Sequence, residues 1–300
     1  MILNATISAV RTQVSDLFEI SKPRIALLVL LTTFTGMWLA GGGYVPVDLV
    51  IYTLIGTGLA SASSGALNNY VDREVDKLMA RTRNRALPTS RLQPQQALWL
   101  GALLSISSFA ILFYLVNPLT AYLALGTTFF YVVIYTIWLK RTSPLCTEIG
   151  GVAGALPPVI GWAAVTNDIS WQAMVMFLIM FIWQPPHFWA LALLRADEYR
   201  RANLPMLPVV SGMEVTKFRM LLYTIVLIPV STTMYWFKLA GPIYLIAALV
   251  LGIIYLVITI DFARKPITHQ STKRLFGYSI IYLCGLFVFI FADCQCSGAL

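Results

Sequence analysis

The sequence predicts an all-α, polytopic membrane protein with nine transmembrane helices. Three observations lead there. Of 300 residues, 58% are hydrophobic and only 11% charged, which is more apolar surface than a soluble domain can hide. The apolar residues gather in nine runs of about 20 residues, the length that crosses about 30 Å of hydrocarbon. Finally, of 21 Lys and Arg residues, all but Lys238 fall in segments that alternate crossings place on one side.

The runs follow in order. The first, 24–42, is preceded by Arg11 and Lys22 and opens on Arg24. The second, 47–68, leads into the stretch ALNNYVDREVDKLMARTRNRALP (66–88), which carries Arg73, Lys77, Arg81, Arg83 and Arg85, with Arg91 just beyond. The third and fourth, 96–116 and 119–139, end at Lys140 and Arg141. The fifth and sixth, 146–165 and 171–193, lead to Arg195, Arg200, Arg201, Lys217 and Arg219 around the start of the seventh, 218–237. The eighth, 242–261, is followed by Arg264, Lys265, Lys273 and Arg274, and the ninth is 275–293. Positive charge is retained on the cytoplasmic face. The N-terminus and the even-numbered loops are therefore expected in the cytoplasm, and the C-terminus on the opposite side. One span more or fewer would destroy the alternation. The net charge of +8 then belongs to a membrane face and does not call for nucleic acid.

Residues 1–20 contain Asp16 and Glu19 and show no cleavage-site pattern. They read as a short amphipathic segment on the cytoplasmic surface. The cysteines 146, 284, 294 and 296 have no metal-ligand spacing. Cys294-x-Cys296 reads more simply as part of a tail than as a redox or metal pair.

Asn68, Asp72 and Asp76 lie at i, i+4 and i+8. If the second helix continues past the membrane edge, they share one face over two turns. Two carboxylates and an amide oxygen on one stripe suit a hard cation such as Mg²⁺, which also takes water and substrate phosphate. Nearby Arg and Lys would bind phosphate oxygens. Solvated, mutually paired helix ends are the plainer reading of such charges. After the sixth run, Asp197, Glu198, Arg195 and Arg200 form a second polar cluster. Both clusters follow even-numbered spans, which hints at two four-helix halves plus a ninth helix within one domain, 1–300.

Several stretches carry a family resemblance. N-N-Y-V-D-R-E-V-D (68–76) matches the N-x-x-x-D-x-x-x-D pattern of the intramembrane prenyltransferase superfamily. M-A-R-T-R-N-R (79–85), Y-T-I-W-L-K-R (135–141), G-G-V-A-G-A-L-P-P-V-I-G-W (150–162), W-Q-P-P-H-F-W-A-L-A (183–192) and N-L-P-M-L-P-V-V (203–210) resemble its protoheme IX farnesyltransferase branch, the heme O synthases. The resemblance implies nine helices around a central cavity open to the cytoplasmic side of the bacterial inner membrane. It implies farnesyl transfer from farnesyl diphosphate to a vinyl group of heme B, with addition of water, to give heme O. Heme B is thus a substrate, Mg²⁺ the cofactor, and heme A synthase or a terminal oxidase assembly a suggested partner. A second D-x-x-x-D is usual in the superfamily. Here position 202 is Ala, so only Glu198 and Asp197 carry over as further metal ligands.

On this reading Asn68, Asp72 and Asp76 are catalytic metal ligands, and Arg81, Arg85, Lys140 and Arg141 contact diphosphate. Arg73 and Glu74 lie off the stripe. Tyr70, Tyr131, Tyr135, Trp138, Trp183, Phe188 and Trp189 are candidate cavity lining, their faces able to stabilise an allylic cation. His187 sits well inside the sixth run, where an ionisable side chain faces a cavity or another helix. It contacts heme or bonds between helices. Gly150-x-x-x-Gly154 permits close helix approach, while Pro157-Pro158 and Pro185-Pro186 predict bends. Transfer to an aromatic quinone precursor, or transport of an organic anion, are the rival activities.

Overall fold

The computed structural model describes residues 12–294. Arg11 and Cys296, both weighed above, lie outside the described residues. Nine described helices are long and apolar enough to cross a bilayer. They are α1 (Pro23–Ala40), α2 (Val47–Lys77), α3 (Pro94–Leu115), α4 (Pro118–Thr142), α5 (Cys146–Thr166), α6 (Trp171–Leu194), α7 (Gly212–Trp236), α8 (Pro242–Arg264) and α9 (His269–Ala292). Two short helices, Ala196–Arg201 and Leu207–Val210, bridge α6 and α7.

The helices outrun the apolar runs at their charged ends. α2 has 31 residues, about 46 Å at 1.5 Å per residue, and carries the acidic stripe beyond the 47–68 run. α7 and α9 begin six residues earlier than hydropathy alone suggests. Hydropathy marks what lipid covers, whereas the backbone ladder continues as long as polar residues tolerate the helix. α9 stops at its start because Thr268 and Ser271 satisfy each other's backbone N–H groups. Gln93 and Gln96 do the same for α3, with Pro94 at its first position.

α5 is two helical pieces, Cys146–Ala155 and Pro157–Thr166. Pro157 and Pro158 lack the N–H groups that would continue the ladder. Pro185-Pro186 does not break α6, which is helical throughout. In α4, residues Phe130–Leu139 form π-helical turns, a geometry often found at functional sites.

Small residues bring backbones together at two seams. Gly36 of α1 lies against Pro158 of α5, and Gly161 of α5 against Thr33 of α1. Ser63 of α2 donates to Gly101 O at 2.7 Å, and Ser108 of α3 donates to Gly56 O at 2.7 Å. The largest core cluster joins α5 and α6 to α7, α8 and α9.

The cation-bearing segments converge at one end of the bundle. Arg91 bridges Asp16 and Glu19 of the 12–20 helix. Lys140 reaches Asp72, Ala80 N–H donates to Glu198, and Lys217 donates to Lys265 O. At the other end Asp293 accepts from Tyr244 N–H at 2.8 Å, fastening the end of α9 to the start of α8. This is the alternation that the charge pattern implied.

Candidate active site

The stripe forms as the i+4 spacing predicts. Asn68, Asp72 and Asp76 are 4%, 3% and 4% exposed, although this part of α2 reaches beyond the apolar run. Asn68 Nδ2 donates to Asp72 Oδ2 at 2.9 Å and to Thr136 Oγ1 at 3.1 Å. The π-helical geometry of α4 positions that threonine, whose hydroxyl donates five residues back to Tyr131 O at 2.8 Å. An α-helical ladder would not offer that carbonyl at this spacing.

Four cations surround these groups. Lys140 Nζ lies 2.5 Å from Asp72 Oδ2, and Arg141 Nη2 lies 3.8 Å from Asp72 Oδ1. Arg141 also donates to Val71 O at 3.0 Å. Arg85 turns back on the helix that precedes it and pairs with Asp76 at 2.8 Å. The loop that carries Arg85 is closed by Thr82 Oγ1 donating to Asp76 O at 2.9 Å. It is anchored by Ala86, Leu87 and Leu92, which pack with Ile20 and Ala66.

The fourth cation, Lys22, escaped the sequence reading. Lys22 adopts a left-handed conformation just before α1, with φ 52°, and its Nζ donates to Asn68 Oδ1 at 2.5 Å. Desolvation pulls the ammonium down to about 7, Arg85 and Lys140 pull it the same way, and Asp72 and Asp76 oppose them. Even with Lys22 only partly charged near neutral pH, Arg85, Lys140 and Arg141 outnumber the two carboxylates, and the site carries an excess of positive charge suited to an anion.

The remaining candidates separate. Arg81 is exposed, within electrostatic reach of Asp76, Arg85, Arg195 and Tyr199. Glu198 accepts from Ala80 N–H at 3.0 Å, so the second cluster meets the loop after the stripe. Asp197 is not brought to it: its side chain is 84% exposed and paired with Arg200. Adjacent residues on a helix point about 100° apart, and here Glu198 turns to the loop after the stripe while Asp197 turns to solvent. Arg73 stacks on Tyr70 at 4.7 Å, and Glu74 pairs with Lys77, all off the stripe.

Among the aromatics, Tyr131 and Tyr135 stack at 5.5 Å beside Gly150, and Tyr131 is within electrostatic reach of Asp72. Trp138 and Phe188 are outward-facing. Trp189 is sealed against Tyr223. His187 stands apart from the stripe, between α6 and α9, stacked between Trp183 and Phe276 with centroids 4.5 and 4.4 Å away. Gln184, one turn earlier, donates to Gly151 O at 2.9 Å across to α5. A side chain at Gly154 would strike the same Gln184.

Residues 29–281 match the UbiA prenyltransferase family. A protoheme IX farnesyltransferase of Symbiobacterium thermophilum is 44% identical over 281 residues, 93% of this chain and 94% of that protein. One from Gloeobacter violaceus is 46% identical over 274 residues, 91% and 90% of the two chains. Among solved structures, a digeranylgeranylglyceryl phosphate synthase superposes with TM-score 0.78 at 14% identity, covering 94% of this chain and 98% of that one. A UbiA homolog from Archaeoglobus fulgidus bound to DMAPP and Mg²⁺ superposes with TM-score 0.61 at 16% identity, covering 89% and 98%. The two solved structures share the fold of this chain.

Proposed function

Because the chain belongs to the UbiA prenyltransferase family, we propose that its acidic stripe and the four cations around it hold the diphosphate of farnesyl diphosphate. The chain is an integral membrane prenyltransferase that makes heme O by farnesyl transfer, the activity its relatives are named for. The C–O bond of farnesyl diphosphate breaks, and a vinyl carbon of heme B forms the new C–C bond. Water adds at the neighbouring carbon and loses a proton, and diphosphate leaves.

One observation carries the chemistry of this reading: a buried row of oxygen ligands lies inside a ring of excess positive charge. The row fits a hard divalent cation. Its donors are carboxylate and amide oxygens, and Asp72 Oδ1 is buried without a hydrogen-bond partner among the described residues. Asn68, Asp72 and Asp76 would hold Mg²⁺, with Glu198 the acid of the second cluster best placed to assist. When bound, Mg²⁺ supplies Lewis-acid neutralisation of the leaving diphosphate. That the Archaeoglobus fulgidus homolog of the same fold is bound to DMAPP and Mg²⁺ supports a divalent ion as part of the reading.

The chain's own groups do the rest. Lys22, Arg85, Lys140 and Arg141 bind phosphate oxygens, and Arg81 guards the approach. Fixed charges in a site partly free of water stabilise a leaving anion without reorganising. Tyr131 and Tyr135 present ring faces to the allylic cation and keep water from it. His187 contacts the heme, its imidazole being a common iron ligand. On this reading a cavity for both substrates opens at the cation-rich end. By the positive-inside rule that end is cytoplasmic, in a bacterial inner membrane. The helices act as one domain, and heme O passes on to a terminal oxidase or to heme A synthase.

Mass spectrometry of hemes extracted from cells with and without the chain tests the reading. Heme O is expected only when the chain is present. Membranes that prenylate 4-hydroxybenzoate and leave heme B unchanged would reject heme as the acceptor.

A further inference from the structure

The hydrogen bonds around His187 fix which ring nitrogen carries its proton. His187 Nδ1 lies 2.6 Å from Ser279 Oγ, and Ser279 Oγ lies 2.6 Å from Phe276 O. Two oxygens at that separation require a proton between them, and the carbonyl has none to give. The single hydroxyl proton of Ser279 is therefore committed to Phe276 O, and Ser279 can only accept from the histidine. Nδ1 must carry the hydrogen, and Nε2 keeps its lone pair. Nε2 makes no hydrogen bond with any described residue, and it is not among the sealed, unpartnered polar atoms. The ring is clamped face-on by Trp183 and Phe276. Trp183 is itself tied to the same turn of α9, its Nε1–H donating to Ser279 O at 2.8 Å.

We propose that Ser279 is a positioning residue for the acceptor substrate: it holds His187 in the Nδ1–H tautomer and leaves Nε2 as the only nitrogen able to take the iron of a heme. The inference rests on His187 contacting heme iron and goes beyond it by naming the ligating nitrogen and the group that selects it. A histidine ligand that donates its second N–H to an oxygen acceptor is oriented and made more basic, and losing that partner typically costs 10–100-fold in metal affinity or activity. The hydroxyl is what matters, so threonine should replace serine and alanine or cysteine should not.

The test is titration of the purified full-length protein with ferric heme b, read by optical and electron paramagnetic resonance spectra. Ser279→Ala is expected to weaken heme binding by about tenfold or more and to change the axial-ligand signature. Ser279→Thr is expected to restore both, and Ser279→Cys, a poor acceptor of similar size, to behave as alanine. Wild-type spectra and affinity in Ser279→Ala and Ser279→Cys, with the imidazole signature lost in His187→Ala, would overturn the positioning role and leave the iron contact standing. An unchanged imidazole signature in His187→Ala would overturn the iron contact itself and the inference with it.

Discussion

Asp72→Asn is expected to cut heme O formation by about 10³-fold, the upper range for removing one preorganised electrostatic group, while the protein still inserts. Asp72 is where the site's contacts meet. One of its oxygens receives Lys140 and Asn68, and the other is buried without a hydrogen-bond partner, facing Arg141 at 3.8 Å. The amide keeps the shape, so packing survives. It removes the charge that opposes Lys140 and supplies N–H donors where a metal ion needs oxygen. Breaking a buried ion pair costs about 3–5 kcal/mol when the partner stays sealed. Lys140 is 16% exposed and can turn toward solvent or phosphate, so the stability cost should fall below that range. Heme O yield measured beside detergent gel filtration separates the two effects. A monodisperse Asp72→Asn protein with normal turnover would remove Asp72 from the chemistry.

Gly161→Ala should damage the fold itself. A Cβ there would sit 1.9 Å from Thr33 O, 2.8 Å from Thr33 C and 3.1 Å from Met37 N. These are backbone atoms of α1, and no rotamer change can move them aside. Gly36 forms the reciprocal contact, its Cβ position 2.0 Å from Pro158 O. One added methyl group must therefore lever α1 away from the second half of α5. Overpacking costs about 1–3 kcal/mol where side chains can adjust, and backbone against backbone belongs at the top of that range. The displacement also carries Lys22, at the foot of α1, away from Asn68. Lower thermal stability in detergent and reduced heme O yield should appear together. An alanine variant that melts with wild type and turns over normally would show that α1 can shift freely.

Much of this was legible in the chain because lipid imposes simple rules. Nine apolar runs and the one-sided cations follow from the cost of burying charge in hydrocarbon, and the helices fall where those runs lie. The stripe was legible because residues 68, 72 and 76 share a helix face wherever the helix continues, and α2 does continue. Helix ends were less legible, since hydropathy stops at the lipid boundary and α2, α7 and α9 do not. The sequence offered Glu198 ahead of Asp197 without excluding either, and only one side of a six-residue helix faces the loop at Ala80. Lys22 left no periodic signal: a left-handed turn, not a helical spacing, brings it to Asn68. The π-helical turns that place Thr136 lie inside an unbroken apolar run, where hydropathy does not distinguish them from α-helix. Ser279 lies 92 residues from His187, and no local pattern joins them.

In the proposed reaction, oxygen ligands on α2 and the cations around them detach diphosphate with the help of a divalent ion. The most direct measurement is release of diphosphate by purified protein given farnesyl diphosphate and heme B, after exhaustive chelation and then with Mg²⁺ restored. No heme O and no diphosphate should form in the chelated sample, and both should return in equal amounts on adding Mg²⁺. Farnesyl transfer at an undiminished rate in the chelated sample would contradict the claim.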